Sequence, residues 1–247
     1  MFVPIDVKPG GFTITSPPSR AKDSENSPGY LELAIQESPD SKPARWLWLP
    51  KPEIVGQAIG VRVGGSFVWP PTNIDTASIK KVIFVGGGMG INPLMSILSH
   101  LGDMGSSSPL VHFLYSTKIT DEETSPKDIL FLERIASLFK AGRVNGNLSL
   151  FLTGLQTSFP EHTARIKKAL DGDPNAAVAE SRSRVVIKTG RINHPSIVDA
   201  LGSPGERASV VVYICGPPKM TDELTEFLTS SGALGLSLDQ IRFEKWW

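Results

Sequence analysis

The feature that most restricts this chain is a wholly apolar run, Val82–Val85, that passes straight into Gly86-Gly87-Gly88-Met89-Gly90-Ile91-Asn92-Pro93. A strand without polar alternation belongs in a parallel sheet covered on both faces. Apolar Leu94, Ile97, Leu98 and Leu101 then follow at helical spacing, which makes a strand–turn–helix unit. Such a unit can bring backbone N–H groups against a pyrophosphate at a helix N-terminus. Asn92 is expected to cap the helix and Pro93 to open it, because proline lacks only a donor that a helix start cannot use. Pro93 stands where the dinucleotide fingerprint has its third glycine, so a purely structural turn is the competing reading.

The alternation continues downstream. Leu110–Tyr115 reads as a second strand, and Ile129, Leu132, Ile135, Ala136 and Phe139 stripe a second helix. Leu148–Leu152 and Val210–Cys215 read as further strands, and Leu224, Phe227 and Leu228 mark a last helix before the closing Ile241–Trp247. Strands alternating with helices predict an α/β fold with a doubly wound parallel sheet, placed at residues 73–247. Pro70-Pro71-Thr72-Asn73 suits a linker. Before it, Gly11–Ser16, Tyr30–Gln36 and the glycine-interrupted run Ala58–Phe67 read as short strands, with Ser16–Gly29 as a loop. Ala164–Leu170 reads as a short helix and Asp171–Ser183 as a solvent loop, neither with an assigned role.

Composition removes several classes of function. Lys+Arg and Asp+Glu each number 25, with no basic stripe, which argues against nucleic acid as the partner. The longest apolar runs are of strand length, far short of a bilayer span. Cys215 is the single cysteine, so an intrachain disulfide and a four-cysteine iron–sulfur cluster are excluded. His100, His112, His162 and His194 show no close-spaced ligand pattern, and no metal site is predicted. Redox chemistry therefore calls for a bound organic cofactor.

A second motif, Tyr213-Ile214-Cys215-Gly216-Pro217-Pro218-Lys219-Met220, also follows a buried strand and opens a helix. A thiol there can touch a planar ring or can serve as a small buried hydrophobe, and position alone does not choose. Taken with Val85–Pro93, with Gly10-Gly11-Phe12-Thr13-Ile14-Thr15-Ser16 upstream and with Phe243-Glu244-Lys245-Trp246-Trp247 at the end, it resembles the ferredoxin–NADP reductase superfamily over nearly the whole chain. The resemblance implies an antiparallel flavin-binding β-barrel, here partial and placed at residues 1–72, ahead of the NAD(P)-binding domain. It implies NAD(P)H and FAD as cofactors. Phe12, Thr13, Ile14 and Ser16 would lie on the flavin side, with Thr13 near the reactive nitrogen. Gly87, Gly88, Gly90, Ile91, Asn92, Pro93, Gly216, Pro217 and Met220 would contact the nucleotide. Cys215 would lie beside the nicotinamide, Glu244 would help to place it, and Trp246 would stack on the flavin. Trp246 and Trp247 also read as a terminal hydrophobic plug.

Two departures from the pattern carry expectations of their own. Gly10 and Phe12 stand where the family has an arginine for flavin phosphate and a tyrosine over the ring. Arg20, Arg45 and Arg62 are the candidates to replace that charge. The eleven residues before Phe12 leave no room for the first barrel strands, so Met1 is expected to be internal to a longer protein, with Phe2-Val3-Pro4 inside a barrel strand. An incomplete barrel leaves strand edges open, which puts flavin binding by this chain in question. Ser116 and Lys118, at the end of the second strand, suit a 2′-phosphate, whereas Asp121 and Glu122 suit ribose hydroxyls. The donor is thus NAD or NADP. The leading expectation is a flavin-dependent NAD(P)H oxidoreductase passing electrons to a separate protein or small-molecule acceptor. The alternatives are a non-catalytic NAD(P)-binding protein without flavin and a structural subunit. Resemblance implies a mitochondrial location, with the cytoplasm as the alternative.

Overall fold

The computed structural model describes residues 9–121, 123–154, 159–171, 185–230 and 234–246. Six strands, β1 (Lys81–Gly87), β2 (Leu110–Lys118), β3 (Gly146–Thr153), β4 (Val185–Thr189), β5 (Val210–Gly216) and β6 (Ile241–Lys245), form one sheet in the order β4-β3-β2-β1-β5-β6. Every neighbouring pair is parallel. Two short helices, α1 (Lys42–Leu47) and α2 (Lys51–Ile54), precede the sheet. Parallel pairing requires crossovers, and α3 (Ile91–Met104), α4 (Leu132–Lys140), α5 (Phe159–Asp171), α6 (His194–Leu201) and α7 (Pro218–Thr229) lie on them in turn.

Side chains alternate across the inner strands. Val82 and Phe84 of β1 and Val211, Tyr213 and Cys215 of β5 join one core with Leu94, Leu98 and Leu101 of α3 and Ile135 and Phe139 of α4. Ile83, Val85, Val212 and Ile214 join the other with Ile197 and Leu201 of α6 and Leu224 and Leu228 of α7. Burial on both faces is the reason Val82–Val85 carries no polar residue. Each large side chain so buried contributes on the order of 1.5–3 kcal/mol, and the sheet collects dozens of them.

Residues 9–72 differ. Ala44 and Trp46, with Pro17, Pro43 and Pro71, are the buried apolar side chains there among the described residues, too few for a separate core. Among the described residues the strands expected of a partial barrel pair at isolated bridges. Gly11–Ser16 and Tyr30–Gln36 meet at one antiparallel bridge, Ile14 to Leu33, reinforced by the Thr15 N–H donating to Glu32 O at 2.8 Å. Ala58–Phe67 forms no ladder with either, and Val61 and Val63 stay 49% and 71% exposed. A lone pair of strands without a packed face is marginal in water. This region rests instead on the α/β layer: Ser96 Oγ donates to Ser16 O at 2.8 Å, and the Tyr213 hydroxyl donates to Val68 O at 2.7 Å. Phe67 meets the Tyr213 ring edge-on.

Other differences are local. Strand β4 and helix α6 were not legible in the sequence. Helix α4 starts at Leu132, after Phe131 in a left-handed conformation, so Ile129 packs from the preceding turn. Asn92 is not the cap of α3: the helix begins at Ile91 behind Gly90, which puts Asn92 and Pro93 inside its first turn. Helix α5 extends beyond Ala164–Leu170 at both ends. The expected loop at 172–183, the Phe2–Pro4 segment, Glu122 and Trp247 lie outside the described residues.

Candidate functional site

The order of strands reverses between β1 and β5, and open α/β sheets take ligands at the carboxyl ends of strands at such a point. Gly87 closes β1, Gly88–Gly90 form a single 3₁₀ turn, and Ile91 starts α3. Gly216 closes β5, and Pro217 leads into α7. The two turns nearly touch. A Cβ at Gly90 would stand 2.0 Å from Cys215 O and 2.7 Å from Gly216 N, whereas one at Gly216 would stand 3.2 Å from Gly87 Cα. Met220 fills the space below, 3.0 Å from a Cβ at Gly87. Gly88 has a φ of +53° with open space around it, the left-handed conformation that favours glycine. The first N–H groups of α3 have no partner within the helix, and Pro93, in that turn, removes none that the helix uses. On the next strand, Ser116 pairs in register with Gly87, and exposed Lys118 ends β2.

Cys215 is fully buried, in register with Gly86 on one side and Glu244 on the other. Burial pushes its thiol far above the usual range, and the neighbouring Glu244 carboxylate pushes the same way, so the sulfur is a neutral thiol. Burial also raises the Glu244 carboxyl above the ordinary carboxylate range, with the Trp246 indole opposing it. The Trp246 backbone N–H donates to Gly216 O at 2.8 Å, which holds its ring against the core that contains Cys215. Oδ1 of Asn92 is buried without a hydrogen-bond partner, whereas the buried indole N–H of Trp246 lies close enough to the Cys215 and Glu244 side chains to act on both while falling outside full hydrogen-bond geometry. The other end of the Asn92 amide donates to Ala34 O at 2.9 Å, so its acceptor faces away from that contact.

A cavity of about 860 Å³ lies between residues 9–69 and the front of α3, within the ~300–1,000 Å³ range of small-molecule sites. Phe12, Thr13, Ile14 and Ser16 border it, together with Pro93 and Glu244. The structure thus brings the expected flavin-side residues to one space with a member of each of two other motifs. Ser16 is only partly available: its Oγ accepts the Glu32 N–H at 3.1 Å. Gly10 has no room for a longer side chain, because an added Cβ would lie 2.5 Å from the Phe12 ring and 2.8 Å from Pro43 Cβ. Of the candidate cations, Arg62 borders this cavity and Arg20 a separate cleft, while Arg45 borders neither. Asp121 Oδ1 is engaged in its own turn, where it accepts the Glu123 N–H at 2.8 Å.

Sequence reasoning missed Ser96 and His100, which also border the cavity. The signal was present: Pro93, Ser96, Ile97 and His100 lie at i, i+3, i+4 and i+7, a second face of α3 beside the core stripe. Tyr213 opens the second motif, but its hydroxyl reaches across 145 residues of chain, a contact that no local pattern announces.

Residues 79–229 match the family model described as the ferric reductase NAD binding domain. Bovine oxidoreductase NAD-binding domain-containing protein 1 is 31% identical over all of this chain and 69% of its own length. The reductase component of propane 2-monooxygenase from Rhodococcus jostii is 28% identical over 90% of this chain and 49% of its own. Among solved structures, the Amycolatopsis cytochrome P450 reductase GcoB superposes with a TM-score of 0.56 at 18% identity, covering 99% of this chain and 58% of that one. The chain therefore spans little more than half the length of that reductase.

Proposed function

The chain belongs to the ferric reductase NAD-binding domain family, and from that premise we propose that it is the nucleotide-binding part of a flavin-dependent NAD(P)H oxidoreductase whose electrons go on to a separate acceptor. The observation that carries the proposal is the meeting of the two glycine turns at Gly90, Cys215 and Gly216 beside a cavity that Pro93 and Glu244 share with Phe12 and Thr13. The chemistry supplied there is hydride transfer from nicotinamide to flavin, which needs two rings in contact with water excluded.

The residues suit both groups. The open Gly88 turn before α3 offers a pyrophosphate seat. One orphaned acceptor, Asn92 Oδ1, can take an N–H of a primary carboxamide. Cys215 lies buried behind the two turns as an uncharged thiol. Glu244, with its raised carboxyl, can hold or accept a proton at the mouth of the cavity. The Phe12 ring gives a planar apolar wall. A second reading, nucleotide binding without flavin, draws on Gly10, which brings no phosphate counter-charge.

The test is the visible spectrum of the purified chain with and without added FAD, before and after anaerobic NADH or NADPH. A flavin band that bleaches with one nucleotide supports the oxidoreductase and identifies its donor. Nucleotide binding by a protein that stays colourless with FAD supports the second reading.

A further inference from the structure

Strand β6 closes one edge of the sheet, and among the described residues no strand pairs with its outer side. The Trp246 N–H faces β5. Backbone groups alternate in direction along a strand, so the N–H and C=O groups of Ile241, Phe243 and Lys245 face outward. An open edge of this kind is a template for another strand. Two side chains of β6 are also short of partners, one on each face. Phe243 stands in register with Ile214, on the face packed by α7, and is 47% exposed. Glu244 stands in register with Cys215 on the other face and makes no salt bridge among the described residues. Arg242 shares the Glu244 face; its Nη2 donates to Thr72 O, and its Nη1 is left without an acceptor among the described residues.

The strand Ile241-Arg242-Phe243-Glu244-Lys245 is complementary to itself when reversed. Two antiparallel copies with a two-fold axis at Phe243 set Phe243 opposite Phe243, and Arg242 of each opposite Glu244 of the other. The hydrogen-bond phase agrees. Outward-facing Phe243 takes the hydrogen-bonded site, and Arg242 and Glu244 take the non-hydrogen-bonded sites, where Cα atoms approach to about 4.5 Å. Aromatic pairs and opposite charges stabilise such positions, whereas like charges directly opposite destabilise them. With Lys+Arg and Asp+Glu at 25 each, no net charge holds two copies apart.

We propose that the outer edge of β6 is a self-association surface, on which a second copy of this chain pairs antiparallel about Phe243 and joins the two sheets into one. The contact is isologous, so both copies make it at once. Each copy's Arg242 then brings a cation to the other's Glu244, which borders the cavity. The five residues of β6 fall well short of the ~20–30 residues a side of a stable interface, so a Kd on the order of 10–100 μM is expected. The inference does not depend on whether the chain binds flavin.

The experiment is analytical ultracentrifugation of the full chain over a concentration series, with the fold of each variant checked by its thermal melt. The parent is expected to pass from monomer to dimer, and added salt to weaken the dimer. Arg242→Glu and Glu244→Arg each set like charges opposite one another at both sites, and each should weaken the dimer at least about tenfold. The double variant Arg242→Glu/Glu244→Arg should recover it. An equimolar mixture of the two single variants should form the heterodimer that neither forms with itself. Phe243→Lys, at an exposed side chain, should also give a monomer, and it supplies the same reading where a charge variant loses its fold. The proposal is overturned if the parent stays monomeric at about 1 mM, which leaves the edge to some other partner. It is also overturned if the folded variants dimerise as the parent does, which assigns the association to another surface. A folded double variant and a folded mixture that both stay monomeric overturn it as well, because the charges would then not act across the two-fold axis.

Discussion

Glu244 pairs in register with Cys215, and half-burial at that place holds its carboxyl above the ordinary range. A carboxyl whose folded pKa is raised favours the folded state while protonated. Its contribution is fully present below the unfolded value near 4.5 and is lost as pH rises through the higher folded value. Glu244→Gln is therefore expected to melt higher than the parent chain at neutral pH and with it in acid. Thermal melts of both proteins between pH 4 and 8 check this, and a gap independent of pH would assign the effect to packing. At this scale the sequence did not give the partners of the residues it named. Asn92 was legible as a helix-start residue, yet its amide holds Ala34 instead of capping. Ser16 was legible as a hydroxyl on the flavin side, yet it accepts a backbone N–H.

The elements themselves were written locally. The apolar runs of β1 and β5 and the stripe of α3 follow from periodicities of two and of 3.6 residues, and these elements occur where expected. What periodicity does not contain is how closely two turns approach. At Gly90 a methyl group would run into the backbone of Cys215 and Gly216, which cannot move aside as a flexible side chain can. Gly90→Ala is expected to destabilise the fold by about 2 kcal/mol or more through overpacking and to abolish nucleotide binding. Gly88→Ala, with open space but a φ of +53°, should cost about 1 kcal/mol. Denaturant unfolding and nucleotide titration of the two variants separate the cases; equal losses would contradict the turn-to-turn contact. Strand β4 escaped notice because its burial pattern is weak, with Val186 and Thr189 exposed, as befits the edge of a sheet.

Across the whole molecule, residues 9–72 depend on the α/β layer for their position. Two kinds of contact hold them, and they differ in worth. Arg134 meets Glu32 at 2.8 Å, but both side chains are well exposed, and such pairs contribute about 0–1 kcal/mol. The Tyr213 hydroxyl reaches Val68 O from a fully buried ring, against which Phe67 and Trp69 also pack. Tyr213→Phe is expected to cost about 1 kcal/mol and to speed proteolysis within 9–72. Arg134→Ala should change stability by less. Urea unfolding and limited proteolysis of both variants test the order, and a larger loss from Arg134→Ala would reverse it.

The sequence by itself determined the parallel α/β layer, the two glycine turns and the family, because each depends on residues near one another along the chain: a buried strand, a turn, a helix start. Tertiary structure decided the rest. It determined that Gly11–Ser16, Tyr30–Gln36 and Ala58–Phe67 do not join into a barrel among the described residues, since strand pairing requires partners whose supply no local pattern reports. It also brought Phe12, Thr13, Pro93 and Glu244 to one cavity. Those choices depend on packing between segments up to two hundred residues apart, and the free energy of such packing is a property of the assembled surfaces, which no single stretch of sequence carries.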